Sequence, residues 1–228
     1  MTASGRFVTL EGGEGAGKST QLEALAALAR DAGIEVVTCR EPGGTVLGER
    51  LRAALFDLER APEPLAELLV FNAARAQLVA EVIRPALERG ALVLCDRFID
   101  STVAYQHYGR GLPLETVEAV NRAATGGLAP DLTLLFDLPP EAGRARGQHG
   151  GSDYLEREAL AFHERVRAGY LALARAERER WLVLDATLPA EELTRRGWER
   201  TGRLQNASPR SNTRSHISDG VETRLQSH

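Results

Sequence analysis

The chain has 228 residues, 43% of them apolar, which is enough material for one globular domain with a full hydrophobic core. The formal net charge of −4 argues against a general nucleic-acid or membrane-surface binder, because phosphate-rich surfaces attract a basic face. No segment is long and apolar enough to span a membrane, and the N-terminus enters the first predicted strand without a signal peptide. We therefore expect a cytoplasmic protein.

Short apolar runs alternate with helical patterns along the chain, as in a parallel sheet covered by helices on both faces. The predicted strands are 7–10, 34–39, 92–95, 132–137 and 181–184. The predicted helices begin after Ser19 and then cover 48–58, 64–89, 113–124, 154–179 and 189–200. Cys39 and Cys95 lie at the ends of predicted strands, and we expect them to be reduced thiols.

The first predicted strand leads into a glycine-rich turn that holds the only lysine among 28 basic residues. Residues 12–19, GGEGAGKS, fit the phosphate-binding pattern G-x-x-x-x-G-K-[ST]. A strand, a glycine-rich loop and a helix N-terminus together aim backbone N–H groups at a phosphate, so we predict an ATP site with Lys18 at the β- and γ-phosphates and Ser19 at Mg²⁺. The alternative is a glycine-rich turn with an incidental lysine. The predicted ATP-binding residues are Gly12, Gly13, Glu14, Gly15, Ala16, Gly17, Lys18, Ser19 and Thr20.

Asp96 and Arg97 follow the third predicted strand. An aspartate in that place resembles a Walker-B carboxylate, so we expect Asp96 to hold Mg²⁺ through its water shell. Arg97 is placed to touch the phosphoryl group that is transferred, although a surface ion pair would leave the same pattern. A chain with a single lysine cannot hold the Asn-Lys-x-Asp motif that reads guanine in switch GTPases.

The end of the chain is polar and aperiodic. We predict a domain of residues 1–202 followed by a disordered tail, 203–228. Three histidines of the domain, His107, His149 and His163, show no paired metal-ligand spacing, and we interpret them as ordinary surface residues.

Four segments resemble motifs of the bacterial thymidylate (dTMP) kinase family, in the family's order. They are residues 11–19 (EGGEGAGKS), 40–45 (REPGGT), 71–75 (FNAAR) and 94–106 (LCDRFIDSTVAYQ). The resemblance covers about 6–200 and implies a three-layer α/β P-loop kinase fold with five parallel strands in the order 2-3-1-4-5. It also implies a homodimeric enzyme that uses Mg²⁺ and ATP to convert dTMP to dTDP.

The resemblance implies a set of base contacts. Phe71 would stack on thymine, Arg75 would donate to the thymine O4 atom, and Thr102 and Gln106 would read the rest of the base edge. A core position for Phe71 and an exposed helical position for Arg75 are the alternatives.

For the sugar and the acceptor phosphate, the resemblance implies four further contacts. Tyr105 would crowd the sugar 2′ position, Glu14 would accept from the 3′-OH group, and Arg52 would grip the phosphate together with Arg97. Glu41-Pro42 resembles a sharp turn of the family, where a cis peptide is an option.

Residues 143–154 resemble the lid of the bacterial enzymes. Because the phosphate loop of this chain lacks the arginine that some members carry there, Arg144 and Arg146 are the expected lid cations, with Arg157 as a further candidate. A solvated loop is the alternative. The adenine pocket would involve residues 185–187.

Two other classes of function remain open. A kinase for another small acceptor, such as a deoxynucleoside kinase, would accept thymidine rather than dTMP. A regulatory module would bind ATP without turnover, although it would have no need of the predicted acceptor-side residues.

Overall fold

The structure, a computed structural model, describes residues 5–146 and 154–205. Most of the predicted lid (147–153) and of the predicted tail (206–228) lies outside these residues.

The sheet has five parallel strands in the order β2-β3-β1-β4-β5, as the resemblance implied. The strands are β1 (Arg6–Glu11), β2 (Val36–Arg40), β3 (Leu92–Asp96), β4 (Leu132–Asp137) and β5 (Trp181–Asp185). The three inner strands are buried along nearly their whole length, which explains why each reads as a continuous apolar run. The predicted fold class is therefore confirmed.

Helices cover both faces of this sheet and make the outer two layers. They are α1 (Lys18–Asp31), α2 (Val46–Phe56), α3 (Pro64–Leu78), α4 (Arg84–Glu88), α5 (Ile99–Thr102), α6 (Leu114–Thr125), α7 (Pro140–Arg146), α8 (Leu160–Ala176) and α9 (Ala190–Gln205). Among the described residues, no helix combines the length and the apolar character needed to cross a membrane.

The long predicted helix 64–89 is one helical stretch with a π-helical segment, Val79–Ile83, between α3 and α4. Pro85 is the second residue after this segment and has no N–H group to donate to the preceding turn. A wider turn accommodates the proline without ending the helix.

The two faces of the sheet carry separate hydrophobic clusters. On one face, Leu10 packs with Leu25 of α1 and Leu193 of α9. On the other face, Phe7 packs with Leu78 and with the π-helical segment. Successive residues of β1 point to opposite faces, so this one strand contributes to both cores.

The differences from the sequence-based expectation that concern the predicted lid and tail are three. The last helix continues to Gln205, so residues 203–205 of the predicted tail are helical. Residues 143–146 belong to helix α7, which begins at Pro140, a favoured residue for a first helical turn. The helix predicted from residue 154 begins instead at Leu160.

The carboxyl ends of β1 and β3 lie side by side, because Leu10 pairs with Asp96. This register brings the phosphate loop after β1 next to the Asp96–Arg97 pair after β3. The Glu41–Pro42 peptide bond after β2 is cis. Ligands of open parallel sheets bind at this edge.

Candidate active site

A cavity of about 560 Å³ opens at the carboxyl edge of the sheet. The volume is in the range of small-molecule sites. Its wall unites most residues that we predicted for the two substrates, namely Glu14, Gly15, Ala16, Gly17, Lys18, Ser19, Thr20, Arg52, Phe71, Arg75, Asp96, Arg97, Thr102, Tyr105, Gln106 and Arg146. Gly12, Gly13 and Arg144 are not among its lining residues.

Lys18 lies at the start of α1 and folds back over the glycine-rich loop. Its Nζ atom donates to the carbonyl oxygens of Gly12 (3.2 Å) and Gly13 (2.8 Å). Burial, together with the nearby charge of Arg97, lowers the pKa of Lys18 to about 8. A bound polyphosphate would raise this pKa again, because its negative charge stabilises the protonated form of Lys18.

The loop itself is packed closely against the start of α7. Gly15 has a left-handed φ of 66°, and a Cβ atom there would lie 2.5 Å from the carbonyl oxygen of Gly143. A Cβ atom on Gly143 would in turn lie 2.4 Å from the carbonyl oxygen of Glu14. Gly143, the first residue of the predicted lid, therefore permits close contact between backbone segments.

Ser19 and Asp96 meet across the two strand ends, as predicted for a magnesium site. The Ser19 hydroxyl donates to Asp96 Oδ2 over 3.2 Å. The other carboxylate oxygen, Oδ1, is buried and has no hydrogen-bond partner among the described residues. A buried acceptor without a partner costs free energy, and a metal-bound water would satisfy it. The donor set therefore fits Mg²⁺.

Arg97 adopts a left-handed backbone conformation, with a φ of 72°. Its Nη1 atom donates to the hydroxyl oxygens of Ser101 (3.2 Å) and Tyr170 (3.1 Å), and its Nη2 atom donates to the Tyr105 hydroxyl (3.3 Å). The guanidinium carbon lies 5.2 Å from the centre of the Tyr105 ring. These contacts fix a charged side chain on the wall of the cavity.

Glu11 ends β1 beneath Arg97 and is fully buried. Its carboxylate accepts from the Phe98 backbone N–H group (2.9 Å), the Ser101 hydroxyl (2.6 Å) and the Tyr170 hydroxyl (2.9 Å). Burial and the neighbouring charge of Asp100 raise the pKa of Glu11 to about 7.

Arg75 also lines the cavity and is only 1% exposed. Nε and Nη2 donate to the Glu41 carboxylate at 2.8 and 2.6 Å. Nη2 also donates to the Phe98 carbonyl oxygen (3.1 Å), and Nη1 donates to the side-chain oxygens of Asn72 (3.0 Å) and Asn121 (2.7 Å). A guanidinium has five N–H donors, and here each has an acceptor within the protein.

The remaining predicted base contacts surround Arg75. Phe71 is half-buried and lines the cavity, whereas Tyr105 and Thr102 are buried. The Thr102 hydroxyl is already engaged, since it lies 2.7 Å from the Ile99 carbonyl oxygen and 2.8 Å from Asn121 Oδ1.

Gln106 is held by a carboxylate from α3. Its amide nitrogen donates to Glu67 Oε1 over 2.6 Å, and Arg110 donates to the same carboxylate. The amide oxygen of Gln106 accepts no hydrogen bond among the described residues. The Glu67 contact thus fixes which end of the amide is donor and which end is acceptor.

Arg52 also lies on the cavity wall. Its Nη1 atom donates to the Pro42 carbonyl oxygen over 3.1 Å, and its guanidinium carbon lies 4.6 Å from the centre of the Phe56 ring. These two contacts help to hold a cation in the cavity.

Residues 10–196 match the model of the thymidylate kinase family. The chain is also 54% identical to the thymidylate kinase of Deinococcus radiodurans over 197 residues. These residues make up 86% of this chain and 96% of that relative. The chain belongs to the thymidylate kinase family. A second member, from Desulfovibrio desulfuricans, is 53% identical over 196 residues, which is 82% of this chain and 90% of that relative. The crystal structure of thymidylate kinase from Ehrlichia chaffeensis is 34% identical, with a TM-score of 0.67 over 79% of this chain and 93% of that chain.

The three candidate lid cations of this thymidylate kinase family member all lie in the described residues. Arg146 lines the cavity and donates to the Ala186 carbonyl oxygen (3.0 Å), in the loop where the resemblance implied an adenine pocket. Arg144 donates to the Glu158 carbonyl oxygen, and Arg157 donates to the carbonyl oxygens at the end of α2. Their action in phosphoryl transfer stays a prediction.

Two residues at or beside the cavity escaped the sequence reasoning, namely His163 and Tyr170. His163 lines the cavity and is not an ordinary surface residue; burial and the charge of Arg144 lower its pKa. Tyr170 lies seven residues later, hence on the same face of α8, and contacts Arg97. This spacing is a signal that could have placed both on the site side of the helix.

Proposed function

We propose that this chain transfers the γ-phosphoryl group of ATP to dTMP and releases ADP and dTDP, with Mg²⁺ held by Ser19 and Asp96. The observation that carries this proposal is one cavity whose wall combines Lys18 and Arg97, which suit phosphates, with Phe71 and Gln106, which suit a base. A module that only senses ATP has no use for the latter two residues.

An oxygen of the acceptor phosphate is the nucleophile. It attacks the γ-phosphorus, and the bond from that phosphorus to the β,γ-bridging oxygen breaks. The acceptor phosphate is largely dianionic at neutral pH because its second pKa is about 6, so the step requires no strong general base. The protein has to place the two phosphates in line and to supply positive charge.

Lys18 and Arg97, which both line the cavity, provide this charge. When bound, Mg²⁺ adds charge that neutralises the phosphate oxygens. Arg52 lies on the wall of the same cavity and suits the acceptor phosphate. The lid arginines Arg144 and Arg146 are the remaining candidates for the transferred group.

Thymine recognition rests on Phe71 and on the fixed amide of Gln106. Because the Gln106 nitrogen donates to Glu67, its oxygen is left to accept from a ligand. Thymine carries a donor at N3, whereas cytosine carries an acceptor there, so this orientation favours thymine. Arg75 would have to exchange one of its internal partners before it could donate to the thymine O4 atom.

A homodimer in the cytoplasm is the expected setting of the reaction. Leu65 and Leu69 lie four residues apart on α3 and are 48% and 50% exposed. Such neighbouring apolar side chains suit a surface that a second copy covers. Sedimentation velocity of the wild type and of Leu69→Glu tests this assembly, since the variant should remain monomeric.

A coupled ADP-release assay tests the reaction. With ATP and Mg²⁺ we expect turnover to be strongest with dTMP, compared with dUMP, dCMP, AMP and thymidine. Turnover with thymidine alone would mean that the acceptor site is one phosphate shorter than proposed. Tight ATP binding without turnover on any acceptor would favour a regulatory module.

A further inference from the structure

On the basis of the function proposed above, we propose that Glu11 is a positioning residue that aims the Arg97 guanidinium at the transferred phosphate through the hydroxyl groups of Ser101 and Tyr170. Glu11 itself is fully buried and has no surface in the cavity. It therefore acts on the reaction only through the side chains that it orders.

The contacts form a closed set around Arg97. The Nη1 atom of Arg97 lies 3.2 Å from the Ser101 oxygen and 3.1 Å from the Tyr170 oxygen. The same two oxygens lie 2.6 and 2.9 Å from one carboxylate oxygen of Glu11, Oε2. The two hydroxyls are also 2.8 Å apart. Each hydroxyl therefore links the guanidinium to Glu11.

The direction of the hydrogen bonds follows from the chemistry of these groups. A guanidinium can only donate, so both hydroxyl oxygens must offer it a lone pair. Each hydroxyl has a single hydrogen, which then has to point elsewhere. An ionised carboxylate only accepts, and Glu11 Oε2 receives both hydrogens. An amide has only one acceptor end, so its NH₂ group would face either the two hydroxyls or the Phe98 N–H group, and either orientation removes an acceptor that the set requires.

The second oxygen of Glu11 fixes the backbone that carries Arg97. Oε1 accepts from the Phe98 N–H group, directly after the left-handed Arg97 residue. The Arg97 N–H group donates to the Leu10 carbonyl oxygen (3.0 Å), one residue before Glu11. Glu11 thus holds both the main chain and the side chain of Arg97 from the end of β1.

A carboxylate in this position opposes folding, which argues against a purely structural role. Glu11 is buried near a second carboxylate, Asp100, whose own charge is neutralised by Arg180 through contacts of 2.7 and 2.9 Å. Arg180 is engaged there. Among the described residues, Arg97 is the cation that hydrogen bonds link to Glu11, and the charge of Lys18 also interacts with it. Burying a charge in such surroundings destabilises the folded state. We attribute the presence of the carboxylate, despite this destabilisation, to its ordering of the Arg97 side chain.

Glu11→Gln and Tyr170→Phe test this role at about pH 8, where Glu11 is ionised. We expect kcat for dTMP phosphorylation to fall about 10- to 100-fold in each, the range that follows from loss of alignment of a catalytic group. KM for ATP should stay within about twofold, because the phosphate loop is not changed. The Tm of Glu11→Gln should not fall. A double variant with Arg97→Ala should lose no more activity than Arg97→Ala alone.

Thr201→Val is the matched control. It also removes a buried hydroxyl, one that donates to the Gly197 carbonyl oxygen within α9, far from the cavity. Its kcat should equal that of the wild type. A merely structural role of Glu11 predicts a lower Tm and an unchanged kcat per folded molecule.

The outcomes separate the two proposals. A wild type that phosphorylates dTMP, with Glu11→Gln or Tyr170→Phe at wild-type kcat, overturns the positioning role and leaves the proposed function intact. A wild type without turnover on dTMP overturns both. If Glu11→Gln fails to fold, Tyr170→Phe decides the question. Additive losses in the double variant would also contradict the proposed link between Glu11 and Arg97.

Discussion

Arg75→Met is the substitution whose effect the structure predicts most sharply. Methionine keeps much of the apolar volume of arginine but removes all five N–H donors. Glu41, which is 6% exposed, would lose its only cationic partner among the described residues. The Phe98 carbonyl oxygen would lose a donor as well. The variant thus leaves a buried carboxylate without compensation.

The expected loss follows from the burial of this pair. Removal of one partner from a buried ion pair lowers the free energy of unfolding by about 3–5 kcal/mol. For a domain of this size, about 2–4 °C of Tm per kcal/mol gives a fall of about 6–20 °C. Burial already raises the pKa of Glu41, and Arg75 opposes that rise. Without Arg75 the pKa rises further, so protonation at lower pH should reduce the difference between variant and wild type.

Urea unfolding followed by circular dichroism measures this loss at about pH 8 and again at about pH 5.5. Arg195→Met is the matched control, because Arg195 lies on the surface of α9 and its ion pairs with Glu192 and Glu199 are exposed. Its unfolding curve should match that of the wild type. Glu41→Gln combined with Arg75→Met should recover part of the stability, since the buried charge is then gone. A loss below about 1 kcal/mol in Arg75→Met would refute the reasoning. It would also indicate that Arg75 is free to read the base.

Three further predictions concern the site. Lys18→Ala should lower kcat about 10³-fold because it removes a cation from the γ-phosphate, which corresponds to about 4 kcal/mol of transition-state stabilisation. A loss below tenfold in the ADP-release assay would contradict that role. Phe71→Ala should raise KM for dTMP by about 10- to 100-fold through loss of base stacking, with Val183→Ala, an exposed apolar residue of β5 outside the cavity lining, as the control. An unchanged KM would make Phe71 a packing residue. Because Glu11 has a pKa raised from 4.5 to about 7, the folded state binds its proton more tightly, and the free energy of unfolding should fall as the pH rises between these values. Urea unfolding at several pH values across this range should show a smaller fall in the free energy of unfolding for Glu11→Gln than for the wild type. If that free energy changes equally with pH in both proteins, the pKa of Glu11 is not raised.

The sheet and the phosphate loop could be predicted because their signals are local. Each strand is a short apolar run, and the loop motif spans eight residues that adjoin its strand and its helix. A parallel sheet then dictates that Asp96 emerges beside the loop, because carboxyl ends share one edge. The family's motifs supplied the strand order and the list of acceptor residues.

The state of each acceptor residue could not be predicted in the same way. The Phe71–Arg75 spacing indicates one helix face, but the partners of Arg75 lie 34 residues before it at Glu41 and 46 residues after it at Asn121. No local pattern reports that all of its donors are engaged. His163 was misjudged for a similar reason, since the wall that it joins is assembled from distant segments.

The boundaries that differ also have physical causes. Helix α7 is only seven residues long, so its apolar pattern is too brief to be distinguished from a loop. The π-helical segment Val103–Gly109 carries Tyr105 and Gln106, and its wider turns do not follow the 3.6-residue period. The 3.6-residue spacing therefore could not predict that Tyr105 and Gln106 both line the cavity.

Transfer of label from γ-³²P-ATP to unlabelled dTMP tests the central claim most directly. After incubation with Mg²⁺ and chromatographic separation, we predict radioactivity in dTDP, none in that position without dTMP, and its loss in Lys18→Ala. Label found only in inorganic phosphate, or in a nucleotide only when thymidine replaces dTMP, would contradict the assignment of dTMP as the acceptor.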